Sequence, residues 1–296
     1  MSATAPRTIL VTGVSGQVGF ELLRSLQGLG RVVGLDRRQF DLANADQMRA
    51  VIRELRPALI VNPAAYTAVD QAEKDVDAAM RANGEAPGII AEEAKRLGAA
   101  LMHFSTDYVF DGNKNGAYVE SDPTNPQNVY GASKLAGEQA IAAVGGNALV
   151  FRTSWIYGRR GKNFLLTMLR LAADKPVLRI VDDQFGAPTW SKTIAALVAH
   201  ISAQGLASDA GWWTEKAGVY HLSAAGSTSW AGFAQAIFDA AELSAKPIVE
   251  AIPASEFPVP AKRPANSRLS CDKLRATFGI QAPDWHGALL QCIGEA

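Results

Sequence analysis

Cysteine is nearly absent from this chain: Cys271 and Cys292 are the only two among 296 residues. Two thiols cannot build a disulfide scaffold, and neither stands in a Cys/His cluster with metal-ligand spacing. Histidine is sparse too. His103, His200, His221 and His286 are scattered without pairing and read as ordinary structural residues. An excess of one charge is also lacking, since Lys+Arg and Asp+Glu both number 29, so no net field draws the protein to nucleic acid or an anionic membrane. Residues 1–7 offer no basic segment leading into an apolar stretch, and 8–14 is too short to span a bilayer. These absences predict a cytoplasmic protein with neither a nucleic-acid nor a membrane partner.

Apolar residues make up 48% of the chain, enough for one large core or two modest ones. Val/Ile/Leu-rich runs at 8–12, 31–35, 58–62, 100–105 and 148–152 read as buried parallel strands. Between them, 17–29, 45–56, 76–97 and 130–144 are long enough to be crossover helices. Repeated strand–helix units predict an α/β fold, a Rossmann doubly wound parallel sheet. After Arg152 the pattern loosens into helices near 163–174, 193–202 and 230–242 and a strand near 177–181. The expected division is a dinucleotide-binding domain over 1–155 and, over 156–296, mainly a smaller α/β substrate-binding lobe with some segments returning to the first domain. Pro253, Pro258, Pro260 and Pro264 place a loop across the surface.

The first strand runs into Gly13, Gly16 and Gly19, with Gln17 and Val18 between them, and an apolar-periodic helix follows. Glycines there permit a tight turn and close backbone approach, while the helix N-terminus offers free N–H groups to a pyrophosphate. The second strand ends at Asp36, placed to bond adenosine ribose hydroxyls; Arg37 and Arg38 follow and suit a 2′-phosphate, so NADPH and NADH both stay open. The third strand ends in Pro63, Ala64 and Ala65, small enough for a cofactor to lie against backbone. The fourth delivers Ser105, Thr106 and Asp107, and a later helix opens with Tyr130 and Lys134 on one face. Alone, such a Tyr/Lys pair is an ordinary surface pair; beside a dinucleotide fold it is a catalytic candidate. A cation about 4 Å from a phenol stabilises the phenolate by up to ~4 kcal/mol, or roughly three pK units. Thr106 can then polarise a ketone that Tyr130 protonates as hydride arrives.

The segments 104–112, 128–138, 152–157, 183–189 and 263–269 together resemble the dTDP-4-dehydrorhamnose reductases, within the extended short-chain dehydrogenases/reductases. The resemblance spans nearly the whole chain. It implies reduction of the C4 ketone of dTDP-4-dehydro-β-L-rhamnose to dTDP-β-L-rhamnose by NADPH or NADH, the last step of dTDP-L-rhamnose synthesis. It implies Tyr130 as proton donor, Lys134 lowering its pKa and holding the nicotinamide ribose, and Thr106 on the ketone. Gly16, Gln17, Val18, Asp36, Asp41, Leu42, Ala65, Tyr66, Thr67 and Phe104 match cofactor-contacting positions. Trp155 matches a substrate position, although an aromatic after the fifth strand also suits the core. Arg263 and Arg268 are candidate pyrophosphate clamps, because planar guanidinium suits phosphate.

Two departures stand out. Pro63 replaces an alanine of the family's segment and removes a backbone donor. Some relatives join two subunits through magnesium held by glutamates; Glu21 and Glu295 match, but Lys192 stands where a third carboxylate is expected. A cation there opposes a metal, which leaves both magnesium and that homodimer, as against a monomer, in question. Two rival readings remain: a non-catalytic protein resembling the regulatory subunit of methionine adenosyltransferase, and a nucleotide-sugar epimerase or dehydratase. Asp107 followed by Tyr108 lacks the Asp-Glu pair of dehydratases, and the intact Thr106, Tyr130 and Lys134 set favours catalysis.

Overall fold

The computed structural model describes residues 7–243 and 245–295; the N-terminal stretch read above for a leader lies almost wholly outside them. In chain order the first half comprises β1 (Thr8–Val11), α1 (Gln17–Ser25), β2 (Arg31–Gly34), α2 (Ala45–Leu55), β3 (Leu59–Asn62), α3 (Val69–Ala72), α4 (Val76–Met80), α5 (Ala86–Leu97), β4 (Ala100–Thr106), α6 (Val129–Val144) and β5 (Ala148–Thr153). The second half comprises β6 (Ile156–Tyr157), α7 (Phe164–Ala172), β7 (Val177–Val181), β8 (Phe185–Gly186), β9 (Thr189–Trp190), α8 (Ser191–Ala207), α9 (Ala210–Lys216), β10 (Gly218–His221), β11 (Thr228–Ser229), α10 (Trp230–Ala240), β12 (Ile248–Ile252), α11 (Asp272–Phe278) and α12 (Trp285–Gly294).

Six parallel strands form the main sheet in the order β10-β5-β4-β3-β1-β2. Alternate residues of β1 explain why helices cover both faces. Ile9 and Val11 enter one core with α1 and α8, while Leu10 enters another with α2 and α5. Strand order reverses between β1 and β3, and the carboxyl ends of these strands open the crevice where α/β sheets take ligands.

Beyond residue 155 the chain divides its residues between two places. Helix α8 packs on α1, and β10 pairs with β5 to complete the sheet. The four-residue β10 escaped the sequence reading because it lies far from its partners along the chain. The remainder builds a lobe on a third core around Tyr157, Leu165, Phe233, Phe238 and Leu289, with β7 and β12 in parallel register beside it.

The expected helix over 76–97 is interrupted: α4 and α5 are joined by a π-helical turn, Arg81–Glu85. The buried Asn83 explains the wider winding. Its side chain accepts from Tyr66 N–H at 2.8 Å and donates to Tyr66 O at 2.9 Å and to Ser133 Oγ at 3.1 Å. Such turns recur at functional sites, and this one fastens the loop after β3.

Candidate active site

The glycine-rich turn is shaped by its neighbour strand. Gly13 has φ +58°, and a Cβ there would stand 2.9 Å from Ala64 Cα in the loop after β3. A Cβ on Gly19 would stand 2.3 Å from Gly13 O. Gly16 caps α1 without any side-chain hydrogen bond, so the first N–H groups of the helix face the crevice free of a protein acceptor. That cradle fits a dinucleotide pyrophosphate.

The remaining cofactor positions fall into distinct settings. Asp36 Oδ1 accepts from the N–H of Arg38 at 2.9 Å, a turn that presents Arg37 outward with its side chain 87% exposed, 3.8 Å from Asp41. Asp41 itself accepts from Ala43 N–H, and Leu42 packs into the α2 core. Gln17 Oε1 accepts from Asn163 Nδ2 at 2.8 Å, tying the glycine turn to the cap of α7. Val18 and Phe104 are buried in the α1 core, where Phe104 meets Phe151 with ring centres 5.9 Å apart. Ala65, Tyr66 and Thr67 lie on the loop that Asn83 fastens; the Tyr66 hydroxyl donates to Asp75 at 3.0 Å.

At the end of β4 the Thr106 hydroxyl donates to Asp107 Oδ1 at 3.0 Å and accepts from Tyr108 N–H at 3.2 Å. Thr106 also lies close enough to Tyr130 to oppose the rise of its pKa. Asn128 places Tyr130 by capping α6, accepting from Gly131 N–H at 2.8 Å. Gly131 is required beneath it, because a Cβ would lie 2.2 Å from Tyr108 O.

The expectation of a tyrosine drawn toward neutrality is not met by the chain alone. Burial first, and then the Asp107 charge, push Tyr130 up to about 12, with Thr106 pulling the other way. Burial brings Lys134 down to about 8, opposed by Glu138. Its Nζ lies 3.4 Å from Nε2 of His103, a residue read from sequence as merely structural. Glu138 is fully engaged with Arg152 of β5 at 2.6 and 2.9 Å, which fixes α6 against the sheet. Asp107 is raised to about 6 by burial, and its Oδ2 has no partner.

The substrate candidates come from the lobe and the Pro-rich loop. Trp155 holds a left-handed backbone, φ +48°, rare for a bulky residue and common where function imposes strain. Its ring stacks on Trp230 at 3.5 Å and fills the space a side chain at Gly186 would take. Arg263 lies over the Tyr108 ring, 5.9 Å from its centre, and pairs with Asp70 of α3 at 2.7 Å. Arg268 donates to Asn266 Oδ1 at 2.8 Å and has no carboxylate partner among the described residues. The segment 263–268 therefore brings one guanidinium over the Tyr108 ring and leaves the other beside Asn266.

The glutamates considered for a metal lie in a charged surface setting. Lys192 Nζ ion-pairs with Glu295 directly, and among the described residues no group of three His, Cys, Asp or Glu is arranged to hold an ion. Two residues escaped sequence reading, Asn83 and His103. Both are polar groups inside runs that are otherwise buried, and that contrast was the available signal.

Comparison with known proteins agrees with this geometry. The family model described as RmlD substrate binding domain matches residues 7–296. The chain is 52% identical over 293 residues to a dTDP-4-dehydrorhamnose reductase of Burkholderia thailandensis, covering 96% of this chain and 97% of the relative. To the Escherichia coli K12 protein of the same name it is 40% identical over 295 residues, covering 97% of each. The crystal structure of dTDP-4-dehydrorhamnose reductase from Bacillus anthracis in complex with NADP superimposes with a TM-score of 0.91 at 35% identity, covering 98% of this chain and 99% of the other. Sequence and fold thus agree over nearly the full length, and the chain belongs to the RmlD substrate binding domain family.

Proposed function

We propose that this protein reduces the C4 ketone of dTDP-4-dehydro-β-L-rhamnose to the alcohol of dTDP-β-L-rhamnose, using NADPH or NADH. The observation that carries the reading is the placing of Thr106 at the carboxyl end of β4 and of Tyr130 at the start of α6, edge-on against Tyr108, on the edge of the sheet where the glycine turn opens. The glycine turn and the α1 N-terminus hold the pyrophosphate, and Asp36 with Arg37 takes the adenosine ribose. When bound, the reduced dinucleotide supplies the hydride. Thr106 donates to the ketone oxygen, Tyr130 delivers the proton, and Lys134 holds the ribose and favours the phenolate left behind. Trp155 borders the sugar, and Arg263 and Arg268 face the nucleotide diphosphate. Residues 156–296 supply most of the substrate lobe.

Among the described residues no helix is long and apolar enough to cross a membrane. The reading is of a cytoplasmic enzyme acting on a dTDP-sugar as a monomer or homodimer. An absorbance assay of NADPH and NADH oxidation, with and without the keto sugar nucleotide, tests the reading. Oxidation that depends on the sugar is expected. Cofactor binding without turnover at any pH overturns it.

A further inference from the structure

Behind Lys134 runs a line of buried polar side chains that the reduction described above does not use. Lys134 Nζ meets His103 Nε2 at 3.4 Å, His103 Nδ1 meets Asn62 Nδ2 at 3.1 Å, and Asn62 Oδ1 meets Thr12 Oγ1 at 2.6 Å. Asn62 and His103 are register partners on β3 and β4, and Thr12 immediately follows β1. All four side chains belong to residues no more than 3% exposed. The line therefore crosses three strands, from the catalytic lysine to the residue before Gly13, in a place where hydrophobic side chains would have packed at lower desolvation cost.

We propose that His103 is a positioning residue for Lys134, and that the line Lys134–His103–Asn62–Thr12 reverses its donor direction when Lys134 gains or loses a proton. The proposal rests on the reductase reading for its consequence, although not for its geometry. An ammonium has donors only, so His103 Nε2 must accept from it. The neutral ring then carries its proton on Nδ1 and donates to the Asn62 carbonyl oxygen, and the Asn62 amide donates to Thr12. An uncharged amine has a lone pair and can accept, so with the Asn62 amide turned over every link reverses: Nε2–H donates to Nζ, Nδ1 accepts from Asn62 Nδ2, and the Thr12 hydroxyl donates to Asn62 Oδ1. The placing of Asn62 Oδ1 toward Thr12 and of Nδ2 toward His103 matches the second order.

The surroundings keep the switch within the line. Burial holds His103 well below the usual imidazole range, with the Lys134 charge acting the same way, so the ring stays neutral and changes tautomer instead of charge. Lys134 is faced by Glu138 and Tyr130 of its own helix and by His103 of β4; Arg152 of β5 neutralises Glu138. From the other elements packed on α6, Glu73 binds Val129 N–H at its start and Lys95 binds Val144 O at its end. His103 bonds both forms of Lys134, but the charge-assisted bond to the ammonium is the stronger. Its loss should lower the Lys134 midpoint by about one pH unit.

Nitrogen-15 NMR of the histidine rings in the unliganded protein, over pH 6–10, reads the switch directly and needs no turnover. We expect His103 to protonate Nδ1 below the Lys134 midpoint and Nε2 above it, without becoming imidazolium. Carbon-13 NMR at lysine Cε, with Lys134 assigned by its loss in Lys134→Met, gives that midpoint. His103→Gln, which keeps an oxygen near the Nε2 position, should hold the midpoint and the alkaline limb of kcat. His103→Asn, which reaches only Asn62, should move both about one unit toward acid. A ring that keeps one tautomer throughout, or a Lys134 midpoint indifferent to both variants, overturns the proposal. Wild-type protein that shows the tautomer change but never reduces the keto sugar leaves the switch standing and removes the reductase reading.

Discussion

Tyr130→Phe deletes one oxygen from a ring that packs edge-on against Tyr108, with centres 5.6 Å apart, so helix and crevice should remain folded. The developing alkoxide then lacks its proton donor. General acid catalysis supplies about 10²–10⁴-fold, and kcat is expected to fall by that factor while dinucleotide binding, followed by fluorescence, changes little. Near-normal turnover by Tyr130→Phe would remove the acid assignment. Thr106→Val should cost about 10²-fold, since one preorganised donor to the oxyanion is lost while proton transfer survives. The two variants differ in origin as well: Thr106 also accepts from Tyr108 N–H, so its loss loosens the turn after β4.

At the scale of elements, α5 is fixed to α2 by a carboxylate within a ring of cations. Glu93 is 1% exposed and accepts from Arg49, Arg53 and Arg96 at distances from 2.5 to 3.3 Å. The Arg53 hydrogen bond is the largest influence holding it near 2, below the ordinary 4.5, against the opposing cost of burial. Because the folded pKa is the lower one, this stabilisation is fully present above pH 4.5 and is lost as pH falls from there toward 2. Urea unfolding of Glu93→Gln should show a lower midpoint at neutral pH and a shallower decline across that acid range. An unchanged acid limb contradicts the assignment. The π-helical turn makes a second demand on packing. A Cβ at Gly137 would lie 2.1 Å from Asn83 O, so Gly137→Ala must part α6 from the turn, at a cost of about 1–3 kcal/mol in the same measurement. Since Asn83 also fastens the Tyr66 loop, KM for the dinucleotide should rise in that variant.

For the molecule as a whole, Lys192 pairs with Glu295, where a glutamate-bridged dimer would need carboxylates free to hold magnesium. Chelation with EDTA is therefore expected to leave kcat within about twofold, a change no larger than loss of one weak surface contact. Abolished activity that magnesium restores contradicts this, and sedimentation with and without magnesium checks whether assembly follows the metal. The lobe meets the dinucleotide crevice where Gln17 accepts from Asn163, the cap of α7, so the two share a fixed contact.

The sequence by itself determined the parallel sheet, because fully buried strands such as β3 and β4 must be continuous apolar runs whatever surrounds them. It also determined the glycine turn and the placing of Tyr130 and Lys134 one turn apart on a single helix, since both depend on spacing within a single turn or helix. Tertiary structure alone decided what depends on contacts distant along the chain. Strand β10 joins the sheet only through β5, and Asn83 winds its helix wide only because the Tyr66 backbone lies within reach. His103 could be read as a core residue until β3 set Asn62 on one side of it and α6 set Lys134 on the other. The pKa of Tyr130 belongs to the same class. That Tyr130 and Lys134 share a helix face can be read from spacing, whereas burial and the nearby Asp107 charge, which raise the Tyr130 pKa, exist only once the fold has excluded water.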